Sequence, residues 1–186
     1  MKPNWFVAYP IEGRGWFDAL IARTPEGLRT FAVEDLHLTV AFMSGVDEAS
    51  ARRGWAAAVA SPPAPVEVSF GPIMPFGNPK QPSAFALTIA QGREAVCEAL
   101  TGCGAAVLRA ASCPPDRYKE PRPHVTVARP PLRPTLADQM IGEAWAGNTE
   151  PPVVAIQLDR LALYTWSDDR RNNQFKIVEA IPLRLA

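Results

Sequence analysis

Only two histidines occur in the 186 residues of this chain, and they stand in the same setting. The first lies in Leu36-His37-Leu38-Thr39-Val40-Ala41-Phe42 and the second in Pro123-His124-Val125-Thr126-Val127-Ala128-Arg129. Both read His-x-Thr-Val-Ala, and positions 37 and 124 are 87 residues apart, close to half the chain. A lone His-x-Thr is a weak signal, because one histidine on a strand is usually a satisfied structural residue. Two copies that use every histidine in the chain are hard to ascribe to random placement. Imidazole titrates near pH 6.5, so it serves as acid or base near neutrality. Two rings on opposite sides of one group supply a general acid and a general base together. A threonine hydroxyl beside each offers a neutral donor to an anionic oxygen. This set suits cleavage of a phosphodiester without metal: one ring activates water, the other protonates the leaving alkoxide, and the hydroxyls hold the non-bridging oxygens. Two histidines are too few for zinc, and no third ligand stands at helical or hairpin spacing from either. A Ser-His-Asp triad needs one histidine and leaves the other copy unexplained.

Strands must position these groups. Side chains alternate along a strand, so His37, Thr39 and Ala41 are expected on one face and Leu38, Val40 and Phe42 on the other. The same parity groups His124, Thr126 and Ala128 and buries Val125 and Val127. Strict alternation puts Arg129 on the face opposite His124. It then reaches a phosphate only through a bend before Pro130, or it is a surface arginine.

Further strands are expected at Trp5–Tyr9, Val66–Phe70, Ala84–Ile89, Val153–Leu158, Leu161–Trp166 and Phe175–Ile181. Helices are expected at 14–23, at 47–60 with Asp47 as N-cap, at 93–110, and at 136–146 with Thr135 as cap. Gly102 and Gly104 argue against one unbroken helix over 93–110. Fourteen of the 20 prolines fall in two clusters, Pro62 to Pro82 and Pro114 to Pro134. Both clusters are expected to be loops with at most edge strands inside them. Short strands interspersed with a few helices point to an α+β fold with antiparallel sheets. The repeated motif suggests two pseudo-symmetric lobes within one unit spanning 1–186.

Composition narrows the function. Charges cancel, 19 basic against 19 acidic, which disfavours a mass binder of nucleic acid. No G-x-G-x-x-G or G-x-x-x-x-G-K occurs, so a nucleotide site of either kind is unsupported. No apolar run of about 18 residues implies a membrane span. Cys97, Cys103 and Cys113 form no Cys-x-x-Cys pair and are expected as reduced thiols in a cytoplasmic protein.

The paired motif resembles that of the two-histidine (2H) phosphoesterase superfamily, in its bacterial and archaeal LigT-like branch of RNA 2′,3′-cyclic phosphodiesterases and 2′-5′ RNA ligases. Trp5-Phe6-Val7-Ala8-Tyr9-Pro10 is similar to the family's first strand. The tail from Leu163-Tyr164 to Ser167, then Phe175 to Pro182-Leu183, is similar to its closing hairpin. Met43-Ser44-Gly45 departs from the usual Leu-Gly, and Phe175 stands where tyrosine is expected. The resemblance implies two α+β lobes, each with a small antiparallel sheet and helices, facing across a central cleft. It implies hydrolysis of a ribose 2′,3′-cyclic phosphate to a 2′-phosphate, with reversible 2′-5′ joining of RNA, and no metal or nucleotide cofactor. By resemblance His37 is the general acid and His124 the base, with exchange of the two left open. Thr39 and Thr126 bind phosphate oxygens, and Arg129 neutralises phosphate charge.

The implied partners are RNA ends or nucleotide 2′,3′-cyclic phosphates, with no membrane, and the chain is expected to be a monomer. Two basic stretches fit such a partner. Arg109, Arg117, Lys119, Arg122, Arg129 and Arg133 face only Asp116 and Glu120, and Arg160, Arg170, Arg171 and Lys176 face Asp168 and Asp169. Around the first motif, Glu34 and Asp35 are acidic. Tyr118 and Trp166 are candidate base-stacking residues or loop anchors. Alternative substrates are small cyclic nucleotides, ADP-ribose cyclic phosphate and 2′-5′ oligonucleotides. A non-catalytic module that binds RNA ends is the reading from another class.

Overall fold

The computed structural model describes residues 2–115 and 120–184. Its strands are β1 (Trp5–Pro10), β2 (Arg29–Thr30), β3 (His37–Ser44), β4 (Val66–Asn78), β5 (Gln81–Ile89), β6 (His124–Arg129), β7 (Ala155–Leu158), β8 (Arg160–Trp166) and β9 (Phe175–Pro182). Its helices are α1 (Trp16–Ile21), α2 (Glu48–Ala60), α3 (Arg93–Ala99), α4 (Ala105–Ala110) and α5 (Leu136–Asn148). The strand order is β7-β4-β5-β6-β3-β1-β8-β9, with β2 added beside β6. Every pairing among the described residues is antiparallel.

The order splits evenly into four strands and four strands, and the two motif strands, β3 and β6, meet at the centre. They touch through one register pair, Leu38 opposite Val125. Two half-sheets that diverge from a single pair leave a cleft between them. Each motif strand is followed by a capped 13-residue helix. The Asp47 side chain accepts the Ser50 backbone N–H at 2.7 Å to start α2. Thr135 and Asp138 cap α5 reciprocally. Helix α2 packs on α4 and β1, and α5 packs on β4 and β5, on the side away from the cleft. The approach of α5 is close: a side chain at Gly142 would run into the Phe85 ring.

A main core holds Val7, Tyr9, Leu38, Val40, Leu87, Val125, Val127 and Leu163. A second, smaller cluster on the other face of the first half-sheet holds Phe6, Ala8, Ala162 and Tyr164, with Phe175 against it. Strand β1 is therefore buried on both faces, which explains its uninterrupted apolar run.

The stretch 93–110 is helical throughout but winds as α3, a π turn over Leu100–Gly104, and α4. The π turn presses onto β3. A Cβ at Gly104 would lie 2.6 Å from the Val40 carbonyl oxygen, so only glycine fits there.

Pro62, Pro63 and Pro65 of the first proline cluster lie in a loop, as expected, but the rest of the cluster forms the β4–β5 hairpin, with Pro72, Pro75 and Pro82 inside strands. Strand β4 pairs with β7 only from Val66 to Ser69. Beyond Ser69 its outer edge has no ladder partner among the described residues, so Pro72 and Pro75 sacrifice no sheet hydrogen bond there. The second cluster does flank a strand, with prolines on both sides of β6. All three cysteines are free. No helix among the described residues is long and apolar enough to cross a membrane.

Candidate active site

Both motif strands carry a β-bulge at the same place. Along β3, Phe6 lies opposite Phe42 and Val7 opposite Ala41, but Ala8 lies opposite Thr39, so Val40 is an extra residue. Along β6, Phe85 lies opposite Ala128 but Ala86 opposite Thr126, so Val127 is the extra residue. Two residues opposing one reverse the parity of everything after them. This overturns the strict alternation expected of each motif. Ala41 is buried in the core, while Phe42 is 53% exposed and turned into the cleft. Ala128 is buried likewise, and the bulge at Val127, before Pro130, brings Arg129 to the His124 face.

One cleft, with a volume of ≈ 160 Å³, collects His37, Thr39, His124, Thr126 and Arg129. The space equals about five waters at liquid density, room for a phosphate and its bonded oxygens. Phe6, Phe31, Asp35, Phe42 and Phe175 complete its wall. The register places His37 beside Thr126 and His124 beside Thr39, flanking the Leu38–Val125 pair. A wider hollow of ≈ 850 Å³ beside the start of α3 is open to solvent and contains neither histidine.

Each imidazole is held the same way. The His37 Nδ1–H donates to the Asp35 carbonyl oxygen at 2.6 Å, and the His124 Nδ1–H donates to the Arg122 carbonyl oxygen at 2.6 Å. A carbonyl only accepts, so Nδ1 carries the hydrogen, and Nε2 of the neutral ring is the free base. The surroundings differ. His37 lies against Phe6 at 4.7 Å between ring centroids, Tyr164 at 5.6 Å and the edge of Phe175 at 5.4 Å. His124 stacks on Phe76 at 4.1 Å, and the Arg122 guanidinium sits over that same Phe76 ring. Phe76 comes from the tip of the β4–β5 hairpin, which explains why that arm extends so far.

Burial is the first cause that pulls His37 down, to about 4, and the charges of His124 and Arg129 add to it. The hydrogen bond to Asp35 acts the other way. His124 is also lowered, first by burial and then by Arg122, against its bond to the Arg122 carbonyl. Both rings therefore favour the neutral form at pH 7.

The sequence reading missed Asp35 as a structural centre. It is only 2% exposed. Its carboxylate accepts the backbone N–H groups of Gln174 at 2.8 Å and Phe175 at 2.9 Å, while its own carbonyl orients His37. One residue thus fastens the start of β9 to the first imidazole. Burial raises its carboxyl, and the backbone donors oppose that rise. An acidic residue two positions before a motif histidine was the available signal.

Other candidates fall differently. Trp166 has the Arg170 guanidinium over its ring at 4.3 Å, so that face is covered. Arg171 pairs with Asp169 at 3.0 Å and Lys176 with Asp168 at 2.6 Å, which removes two cations from the second basic stretch. Tyr118, Arg117, Lys119 and Asp116 lie outside the described residues. Among the described residues, no group of three or more His, Cys, Asp or Glu is placed to hold a metal ion.

A family model for the 2′-5′ RNA ligase superfamily matches residues 17–170. The chain belongs to that superfamily, the two-histidine phosphoesterases. Its fold is that of E. coli LigT in complex with NADP+, at a TM-score of 0.69 and 17% identity over 100% of both chains. A protein of Thermus thermophilus matches at 0.65 and 20% identity, over 97% of this chain and 98% of that one. Usb1 of Kluyveromyces marxianus matches at 0.56 and 11% identity, over 98% and 99%. No curated protein sequence matches the chain. The superfamily supports a phosphodiesterase-type enzyme.

Proposed function

We propose that this chain, as a single bilobal monomer, hydrolyses 2′,3′-cyclic phosphates at RNA ends to 2′-phosphates, without a metal cofactor. One observation carries the reading: two imidazoles with free Nε2 atoms line one phosphate-sized cleft with a threonine beside each. The similar E. coli LigT has been crystallised with 3′-AMP and with phosphate, which fits a nucleotide phosphate in this cleft.

A bound cyclic phosphate lies between the rings. Thr39 and Thr126 donate to its non-bridging oxygens, and Arg129 offsets its charge. One ring takes a proton from water, whose oxygen attacks phosphorus. The P–O3′ bond breaks, and the other ring gives its proton to O3′, leaving phosphate on O2′. The resemblance makes His37 the acid. Electrostatics favour the reverse. Burial and the facing Arg129 charge both oppose a proton on His37. A proton shared by the pair then resides on His124, so His124 is the donor and His37 the base. Attack by the 5′-hydroxyl of a second RNA in place of water, with O3′ leaving in the same way, is the corresponding 2′-5′ joining. The free thiols support a cytoplasmic setting.

The test is incubation with an RNA ending in a 2′,3′-cyclic phosphate, in EDTA, with the product identified. A 2′-phosphate product, lost in both His37→Ala and His124→Ala while the fold persists, is expected. Full turnover by either variant refutes the paired chemistry. Affinity without turnover by the native protein would make it a binding module instead.

A further inference from the structure

Three arginines with no acidic partner among the described residues lie in or next to elements that line the cleft. Arg29 on β2 lies directly opposite Arg129 on β6 in the ladder. Like charges in that relation repel, and an anion between them would offset that repulsion. Arg29 donates through Nε to the Pro130 carbonyl at 2.9 Å. Arg129 lies over the Phe31 ring at 5.3 Å. Arg170, on the loop joining β8 and β9, lies over Trp166 and donates to the Gln174 side chain at 2.9 Å. That loop is tied to the cleft, because the next backbone N–H groups, of Gln174 and Phe175, end on Asp35. The nearby carboxylates are taken: Asp168 by Lys176, Asp169 by Arg171, and Asp35 by backbone donors. Among the described residues, none of the three arginines pairs with a carboxylate. Desolvation, then Arg29, then Arg170, all lower the proton affinity of Arg129, so each of the other two arginines lies within electrostatic reach of it.

The cleft itself holds about one phosphate. We propose that Arg29 and Arg170, adjoining Arg129, form a second subsite at its rim that takes another phosphate of the same nucleotide substrate. Planar guanidinium groups suit phosphate oxygens, and a phosphate there relieves the repulsion between them. The inference rests on the proposed cleavage site and deepens it. The preferred substrate carries a phosphate on the 5′ side of its cyclic phosphate, as a 5′-phosphate or as the diester of an RNA chain.

Three substrates separate these sources: adenosine 2′,3′-cyclic phosphate, the same molecule with a 5′-phosphate, and a dinucleotide ending in the cyclic phosphate. The native protein is expected to show kcat/KM at least about tenfold higher on one or both of the doubly phosphorylated substrates. That ratio is expected to fall towards one in Arg29→Ala and Arg170→Ala, and to recover in part in Arg170→Lys. An advantage confined to the 5′-phosphate assigns the subsite to a monoester, and one confined to the dinucleotide assigns it to the RNA diester. A ratio near one in the native protein, or one unmoved by either substitution, overturns the subsite. Should the native protein turn over none of the three, it is the cleavage reading that fails. Calorimetric affinities for the 5′-phosphorylated and plain nucleotides then decide: a preference lost in the variants sustains the subsite, and equal binding overturns it.

Discussion

The assignment of His124 as proton donor is open to a leaving-group test. With His37 near 4, roughly one ring in a thousand carries a proton at pH 7, a penalty of about 4 kcal/mol for its use as the acid. A general acid contributes about 10²–10⁴ in rate when the leaving group is an alkoxide. It contributes little when the leaving group is a thiolate, because a thiol titrates near 8.5 and departs without help. The perturbation is therefore double: His37→Ala and His124→Ala, each assayed on a 2′,3′-cyclic phosphate and on its analogue with sulfur in place of O3′. His124→Ala is expected to lose about 10³ in kcat on the oxygen substrate but at most about tenfold on the sulfur substrate. His37→Ala, lacking the base that activates water, is expected to lose about 10³ on both. Rapid-quench measurement of single turnovers isolates the chemical step. Rescue of His37→Ala and not of His124→Ala would show that His37 donates, and that the Arg129 charge facing it does not decide the roles. Rescue of neither would show that leaving-group protonation is not what either ring supplies.

Replacement of Asp35 by alanine leaves the Gln174 and Phe175 N–H groups without their acceptor, and a loss of about 2–4 kcal/mol follows, read as a fall in Tm of about 5–15 °C by calorimetry. Stability is expected to fall on acidification from about pH 6.5 to about pH 4. In that window the unfolded chain protonates its histidines while folded His37, with its lowered pKa, stays neutral. The effect reaches about 3 kcal/mol for His37 and has the same sign for His124, whereas the raised Asp35 carboxyl opposes it. Urea unfolding at several pH values checks this, and His37→Gln flattens the curve. Gly104→Ala forces a methyl against the Val40 carbonyl and is expected to destabilise by about 1–3 kcal/mol while lowering kcat, measured as a Tm shift beside a rate assay.

The residues that line the cleft were more legible in the sequence than the geometry that holds them. The repeated pentapeptide located both histidines and both threonines of the cleft, and the capping residues Asp47 and Thr135 marked two helix starts. Alternation then failed after the fourth residue of each motif, at Val40 and Val127, because nothing in a Val-Ala pair announces a bulge. The sheet partners impose it. The β4 and β5 strands were expected at Val66–Phe70 and Ala84–Ile89, but their extension through the prolines to Asn78 and Gln81 was hidden for a related reason: proline density reads as loop until it is known that the outer edge of that strand is free. Asp35 was visible as a charge, but its role depends on Gln174 and Phe175, some 140 residues away.

The paired bulges also explain how a duplicated motif yields an asymmetric site. By parity alone, the positions five residues after each histidine would face the core, where neither Phe42 nor Arg129 could be interchanged with the other. The bulge turns both into the cleft, at equivalent places on opposite half-sheets. One half then presents an apolar ring and the other a cation, to a substrate that has a base at one end and a phosphate at the other. In the proposed reaction the symmetric part, His-x-Thr, supplies what is needed twice. On that reading the fifth position supplies what is needed once, and so directs the substrate's polarity between the two half-sheets. A swap of the two side chains, Phe42→Arg with Arg129→Phe, keeps total charge and tests this directly. If orientation follows the fifth position, the swapped protein reverses the histidine roles, and sulfur substitution rescues His37→Ala in that background. If it still rescues His124→Ala, orientation is set elsewhere in the cleft.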